Sequence, residues 1–189
     1  TVRIKTICDN SESAFDSISF ITKCLSGGEI LIGDPNSTST SYYIPIGNFY
    51  NNSYTQRLIL ANEMNGARVL RGVAFEYAYN SPTTVKNTVS IYMGHTSTSN
   101  LTSSAWEPTT NAQLVYQGNL NCTAGWNEFN FTTPFNYNGT DNIVITIVDQ
   151  SGDYDGSSYI FKVHSASGKA LYYQTDGSMT IPPASRTSY

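Results

Sequence analysis

Asn142-Ile-Val-Ile-Thr-Ile-Val-Asp149 is the stretch on which the fold turns. Branched side chains crowd a helix and fit a pleated strand, so the stretch reads as extended chain. Its apolar run, Ile143 to Val148 with Thr146 inside it, is the longest in the protein and far short of the ~20 residues a membrane helix needs. Alternation places Ile143, Ile145 and Ile147 on one face.

Outward from this strand the same grammar repeats. Helical periodicity is almost absent, and short period-2 stretches are bounded by Gly, Pro, Asn or Ser clusters. The strands expected are Val2 to Ile7, Ser17 to Thr22, Glu29 to Ile32, Ser41 to Ile46, Gln56 to Leu60, Val69 to Tyr79 and Thr88 to Met93. Gln113 to Tyr116, Trp126 to Phe131, Asn142 to Asp149, Tyr159 to His164 and Ala170 to Gln174 follow. The fold class is all-β: a two-sheet antiparallel sandwich of jelly-roll-like type, with a short N-terminal hairpin stub. Val73, Phe75 and Tyr77 should face the core, as should Val89, Ile91 and Met93, Phe129 and Phe131, and Phe161 and Val163. Ser97 to Trp106 is the one stretch expected to form a helical turn. Pro134, Pro182 and Pro183 should lie outside strand interiors, because proline has no amide hydrogen to donate.

Composition excludes several partners. The 189 residues carry 10 Lys and Arg against 14 Asp and Glu, a net charge of −4, with only 13% charged residues and 14 Tyr. With no basic cluster to neutralise phosphates, nucleic acid is not an expected partner, and no membrane insertion is expected. Cys8, Cys24 and Cys122 lie too far apart for a zinc spacing, and there are only 2 His. Cys8 and Cys24 would bridge in an oxidising compartment; all three fit equally as small buried hydrophobes. Thr1 to Lys5 begins as if in the middle of a strand, so the chain is expected to be cut from a longer one.

Enzyme signatures fail in turn. No G-x-S-x-G elbow occurs, His95 and His164 lack flanking acids, Gly168-Lys169 lacks the rest of a phosphate loop, and no H-E-x-x-H or paired-Glu signature is present. No enzyme activity is expected. The sharpest acidic cluster is Asp149-Gln-Ser-Gly-Asp153-Tyr-Asp155-Gly156. Its carboxylates Asp149, Asp153 and Asp155, with loop carbonyls, would supply much of a structural calcium shell; Ser151-Gly152 and Asp155-Gly156 read alternatively as a tight turn. Aromatic side chains in loops stack on sugar rings, and Tyr50, Tyr54, Trp106 and Tyr154 are the candidates. Trp106 has an alternative role, pinning its own loop, and Trp126 is expected to cap the core. The N-x-S/T triplets at Asn36, Asn51, Asn100, Asn121, Asn130 and Asn138 follow from an Asn-, Ser- and Thr-rich composition.

Two resemblances follow from these residues. Thr1-Val-Arg-Ile-Lys-Thr-Ile-Cys8 with Ser17-Ile-Ser-Phe-Ile-Thr-Lys-Cys24 resembles the last two strands of a bacterial fibronectin type III domain, with Phe15 in place of the usual Trp-Ser pair. This implies that residues 1–25 form the C-terminal hairpin of a truncated domain. Residues 28–189 are similar to a repeat module of Bacteroidota cell-surface proteins exported by the type IX route. The match runs through Ser41-Tyr-Tyr-Ile-Pro-Ile46, Val89-Ser-Ile-Tyr-Met-Gly-His-Thr96, Trp106-Glu-Pro108, Leu114-Val-Tyr-Gln-Gly118 and Thr133 to Asn142. That resemblance implies an extracellular β-sandwich at a bacterial surface, and with the loop aromatics the expected function is a non-catalytic adhesion module, binding surface glycans or presenting neighbouring domains. The alternative is a structural spacer that pairs through terminal strands with neighbouring surface domains or self-associates.

Overall fold

The computed structural model describes residues 2–5 and 28–189. They form strands β1 (Val2–Lys5), β2 (Glu29–Ile32), β3 (Thr40–Ser41), β4 (Asn52–Ile59), β5 (Arg68–Tyr77), β6 (Val89–Thr96), β7 (Gln113–Gly118), β8 (Gly125–Tyr137), β9 (Asn142–Asp149), β10 (Phe161–Lys162), β11 (Ala170–Thr175) and β12 (Thr187–Ser188). All pairings are antiparallel, in two open six-stranded sheets. One runs β12-β11-β4-β9-β6-β7. In the other, β5 takes β8 along one edge and β1 and β10 along the opposite edge, with β2 beyond β1 and β3 beyond β10. The chain crosses between sheets after β3, β4, β5, β7, β8, β9 and β10, which makes the sandwich jelly-roll-like.

The inner faces carry the side chains that alternation selects. Val73, Phe75 and Tyr77 meet Val89, Ile91, Met93, Ile143, Ile145, Ile147, Phe129 and Phe161 in one core, with Phe131 packed against it half-buried. Phe161 stands edge-on to Tyr77 at 5.2 Å and to Phe75 at 6.5 Å. Each such side chain, fully buried, contributes about 1.5–3 kcal/mol. Val163 belongs to a smaller group with Ile44 and Ala170.

β4 and β9 are buried on both faces. The segment after β6 folds over the outside of their sheet, adding a third layer. Gln56 exchanges two 2.9 Å hydrogen bonds with the backbone of Glu107, whose carboxylate accepts the hydroxyls of Thr96 and Thr98 at 2.6 Å. Beneath it Leu58, Leu101, Val144 and Leu171 pack with Trp106. Ser97 to Trp106 therefore lies over the sheet without a helical turn. The one helical turn among the described residues is a 3-10 turn at Ala61–Glu63, where the Glu63 carboxylate accepts the Leu60 amide at 2.7 Å.

Two further expectations change. Val2–Lys5, expected in a hairpin of its own with Ser17 to Thr22, lies inside the sandwich: Val2 pairs with Ile32 on one side and Phe75 on the other, and its side chain is in the main core. The rest of that expected hairpin, with Cys8 and Cys24, falls outside the described residues. Pro134 lies within β8, not outside it. The reason is a bulge: Leu70 pairs with Phe135 but Gly72 pairs with Asn130, so residues 131–134 have no ladder partner on β5 and no proline amide is needed. Instead Gln113 donates to the carbonyls of Thr133 and Pro134, and Thr132 donates to that of Val115.

Candidate functional site

β3 stops at Ser41, and the chain from Tyr42 to Asn51 runs as a loop through Pro45, which has no amide hydrogen to offer a ladder. This loop and the one after β9 bring their aromatic side chains together. Phe49 stands edge-on to Tyr50 at 5.4 Å and to Tyr154 at 6.3 Å. Tyr42 lies 5.9 Å from Phe49 and 4.2 Å from Tyr43. From Tyr43 the rings continue to Tyr172 at 4.7 Å and Tyr189 at 6.4 Å. The result is an unbroken ribbon of seven rings along the surface. Tyr154 is 52% exposed and Phe49 42%. The Tyr42 and Tyr43 hydroxyls lie 2.7 Å apart, and that hydrogen bond is the main cause that raises the Tyr43 phenol above its ordinary value.

What holds the ribbon is a buried cation. Lys86 donates from Nζ to the carbonyls of Tyr50 and Asp153, each at 2.7 Å, and lies 2.9 Å from the Asp149 carboxylate. Both charged side chains are 0% exposed. One ammonium thus ties the Phe49–Tyr50 loop, the Tyr154 loop and the end of β9 together. Asn48 reinforces the tie: its carbonyl accepts the amides of Asp155 and Gly156 at 3.0 Å, and its side chain donates to the Tyr159 carbonyl at 2.7 Å. Burial raises the Asp149 carboxyl, while Lys86 and the Ser151 amide and hydroxyl, at 3.0 and 2.6 Å, pull it back.

The three aspartates of the expected calcium cluster differ in their surroundings. Asp149 is the counter-ion of Lys86, Asp153 accepts its neighbour's amide from Tyr154 at 2.8 Å, and the Asp155 carboxyl is raised by burial. Among the described residues no group of three or more His, Cys, Asp or Glu side chains is arranged to hold a metal.

Of the aromatic candidates, Tyr50 and Tyr154 meet in the ribbon and Tyr54 and Trp106 meet elsewhere. Tyr54 is a fully buried residue of β4, with its phenol pushed up to about 12 by burial. Trp106 packs edge-on against it at 4.7 Å and donates its indole N–H to the Pro183 carbonyl at 2.8 Å, so it fixes the outer layer. Trp126 does not cap the core; it lies on the outer sheet face beneath the Arg3 guanidinium at 4.1 Å. Phe49, Tyr42, Tyr43, Tyr172 and Tyr189 are ribbon members that the sequence reading missed. Five rings in Tyr42-Tyr43 and Phe49-Tyr50 with Tyr54, packed into thirteen residues, were the available signal.

The remaining reactive side chains are otherwise engaged. His95 accepts the Asn138 amide at Nε2 and lies 4.8 Å from Phe135. Cys122 is free and buried, its thiol pushed up to about 12 by desolvation. No helix among the described residues is long and apolar enough to cross a membrane. No family model, curated protein or solved structure matches the chain.

Proposed function

We propose that this chain is a non-catalytic extracellular adhesion module that grips a neutral glycan along the aromatic ribbon. The observation that carries this reading is the run of rings from Tyr154 through Phe49, Tyr42 and Tyr43 to Tyr189, exposed at both ends and held from beneath by Lys86. A sugar ring stacks its C–H face on such rings while hydroxyls and amides bond its OH groups. Rigid loops lower the entropy cost of that contact. The resemblance to type IX-exported surface modules supports a bacterial cell-surface setting, where such polymers are met. Against catalysis stands the thiol of Cys122, buried and held protonated.

Pairing through terminal strands has less support. β1 is already hydrogen-bonded on both edges, and β12 offers two residues only. Among the described residues β8 has one ladder partner, β5, and it carries a bulge and Pro134, features that discourage edge-to-edge addition. Titration of neutral polysaccharides against the protein and its Phe49→Ala and Tyr154→Ala variants tests the proposal; loss of binding in both, with melting unchanged, is expected.

A further inference from the structure

A second feature, independent of the ribbon, lies between the two sheets at the end where Val2 pairs with Ile32. There the sheets part around an open cleft whose enclosed volume is about 90 Å³. The walls are Val2, Ile32, Ile44, Ile59, Val163 and Ala170. Arg57, Glu63 and Lys169 are the charged side chains on the same lining. Arg57 lies on β4 between Thr55 and Ile59 on the core-facing side, pairs with Ile145 across the ladder, and is only 8% exposed. Its guanidinium carbon lies 5.5 Å from the centre of the Phe75 ring. Nε and Nη2 are buried without a hydrogen-bond partner, and among the described residues no carboxylate is in ion-pair range. Glu63, the acid on the cleft lining, is turned to the Leu60 amide.

A buried cation without a counter-ion is among the costliest groups a protein can hold. Burial lowers the Arg57 group to about 9, which still leaves it charged at neutral pH. Lys86 and Arg57 make the contrast plain: one buried cation has its full set of oxygens, the other has none. A carboxylate offers two acceptor oxygens matched to the edge of a guanidinium, and the surrounding walls offer nothing to a sugar but a good deal to hydrocarbon.

We propose that this cleft binds a small amphiphilic carboxylate, its carboxylate on Arg57 and its aliphatic chain along Val2, Ile32, Ile44 and Val163. His164, Lys169 and Tyr189 stand on the same lining. Tyr189 also ends the aromatic ribbon, so the cleft mouth and the ribbon adjoin.

The test is a calorimetric titration of the full chain with octanoate, 1-octanol and acetate, with the Arg57 Nε–H resonance followed by NMR. Octanoate is expected to bind at least tenfold more tightly than either control and to shift that resonance. Arg57→Met should abolish the tenfold preference while its ligand-free form melts no lower than the parent, because it sheds an uncompensated charge. Equal binding of octanoate and octanol, or no binding of octanoate, would overturn the proposal on the parent protein alone. A ligand-free Arg57→Met that melts well below the parent would do the same, by making Arg57 a structural residue. None of these outcomes bears on glycan binding at the ribbon.

Discussion

Lys86 Nζ and Asp149 Oδ2 face each other at 2.9 Å with neither side chain reaching solvent. Charges so placed are costly to strand, and removing one member of a buried pair typically costs about 3–5 kcal/mol. Asp149→Asn and Lys86→Met are each expected to lose stability of that order in chemical denaturation. The double variant should lose less than the sum, since its second change removes the charge left alone by the first. Additive losses would mean that the two groups do not act as a pair.

Calcium is expected to leave the melting midpoint where it stands in chelator. The carbonyls of Tyr50 and Asp153 and the carboxylate of Asp149 already surround an ammonium. An ion bound only by the folded state would add about 2.7 kcal/mol at a hundredfold excess over its Kd. A rise of that size in millimolar calcium would contradict the lysine-filled arrangement.

Removal of residues 1–25 is expected to abolish the cooperative melting of the remainder. β1 is an interior strand of its sheet, and among the described residues β2 has no other ladder partner. Deletion uncovers the edge of β5 and takes Val2 from the core. An unchanged transition in the truncated protein would instead make the N-terminal segment an independent unit.

Much of this architecture was legible in the sequence. The isoleucines of Asn142–Asp149 and the alternation in Arg68–Tyr77 declare their faces because a strand must bury every second residue. What escaped is what alternation does not encode. Tyr54 sits in a strand whose other face is also covered, by a layer formed from distant residues 97–112, so a tyrosine that reads as accessible is buried. Lys86 and Arg57 are single cations in unremarkable contexts, and only the fold shows that one meets three oxygens and the other meets none. Arg57 did leave a trace, sharing core parity with Ile59 in Gln56-Arg-Leu-Ile-Leu60.

Acid should weaken the fold partly through His164. Burial holds its imidazole below the ordinary value, helped by the positive charge of Arg57 and opposed by Glu63 and Asp34. A lowered pKa favours the neutral ring in the folded state. Its contribution is therefore fully present above about pH 6.5 and is lost as pH falls through the lowered folded value. Melting curves at about pH 7.5 and pH 5 should show a smaller acid loss in His164→Gln than in the parent. Parallel losses would remove His164 from the account.

Cys122 is expected to resist thiol reagents in the native protein and to react on unfolding. It is buried, its thiol is held up at about 12, and thiolate is the reactive form. Since Cys8 and Cys24 lie outside the described residues, the measurement is made on Cys8→Ser/Cys24→Ser protein. Rapid labelling without denaturant would contradict the burial.

The central claim is that a lysine-clamped ribbon of rings binds neutral polymer, and calorimetric titration of a neutral polysaccharide panel at low and high salt tests it most directly. The account predicts binding to at least one member that weakens tenfold or more in Phe49→Ala and in Tyr154→Ala, with melting unchanged. It also predicts little response to salt, since few charges are screened. Binding untouched by both substitutions, or no binding to any member at millimolar ligand, would contradict it.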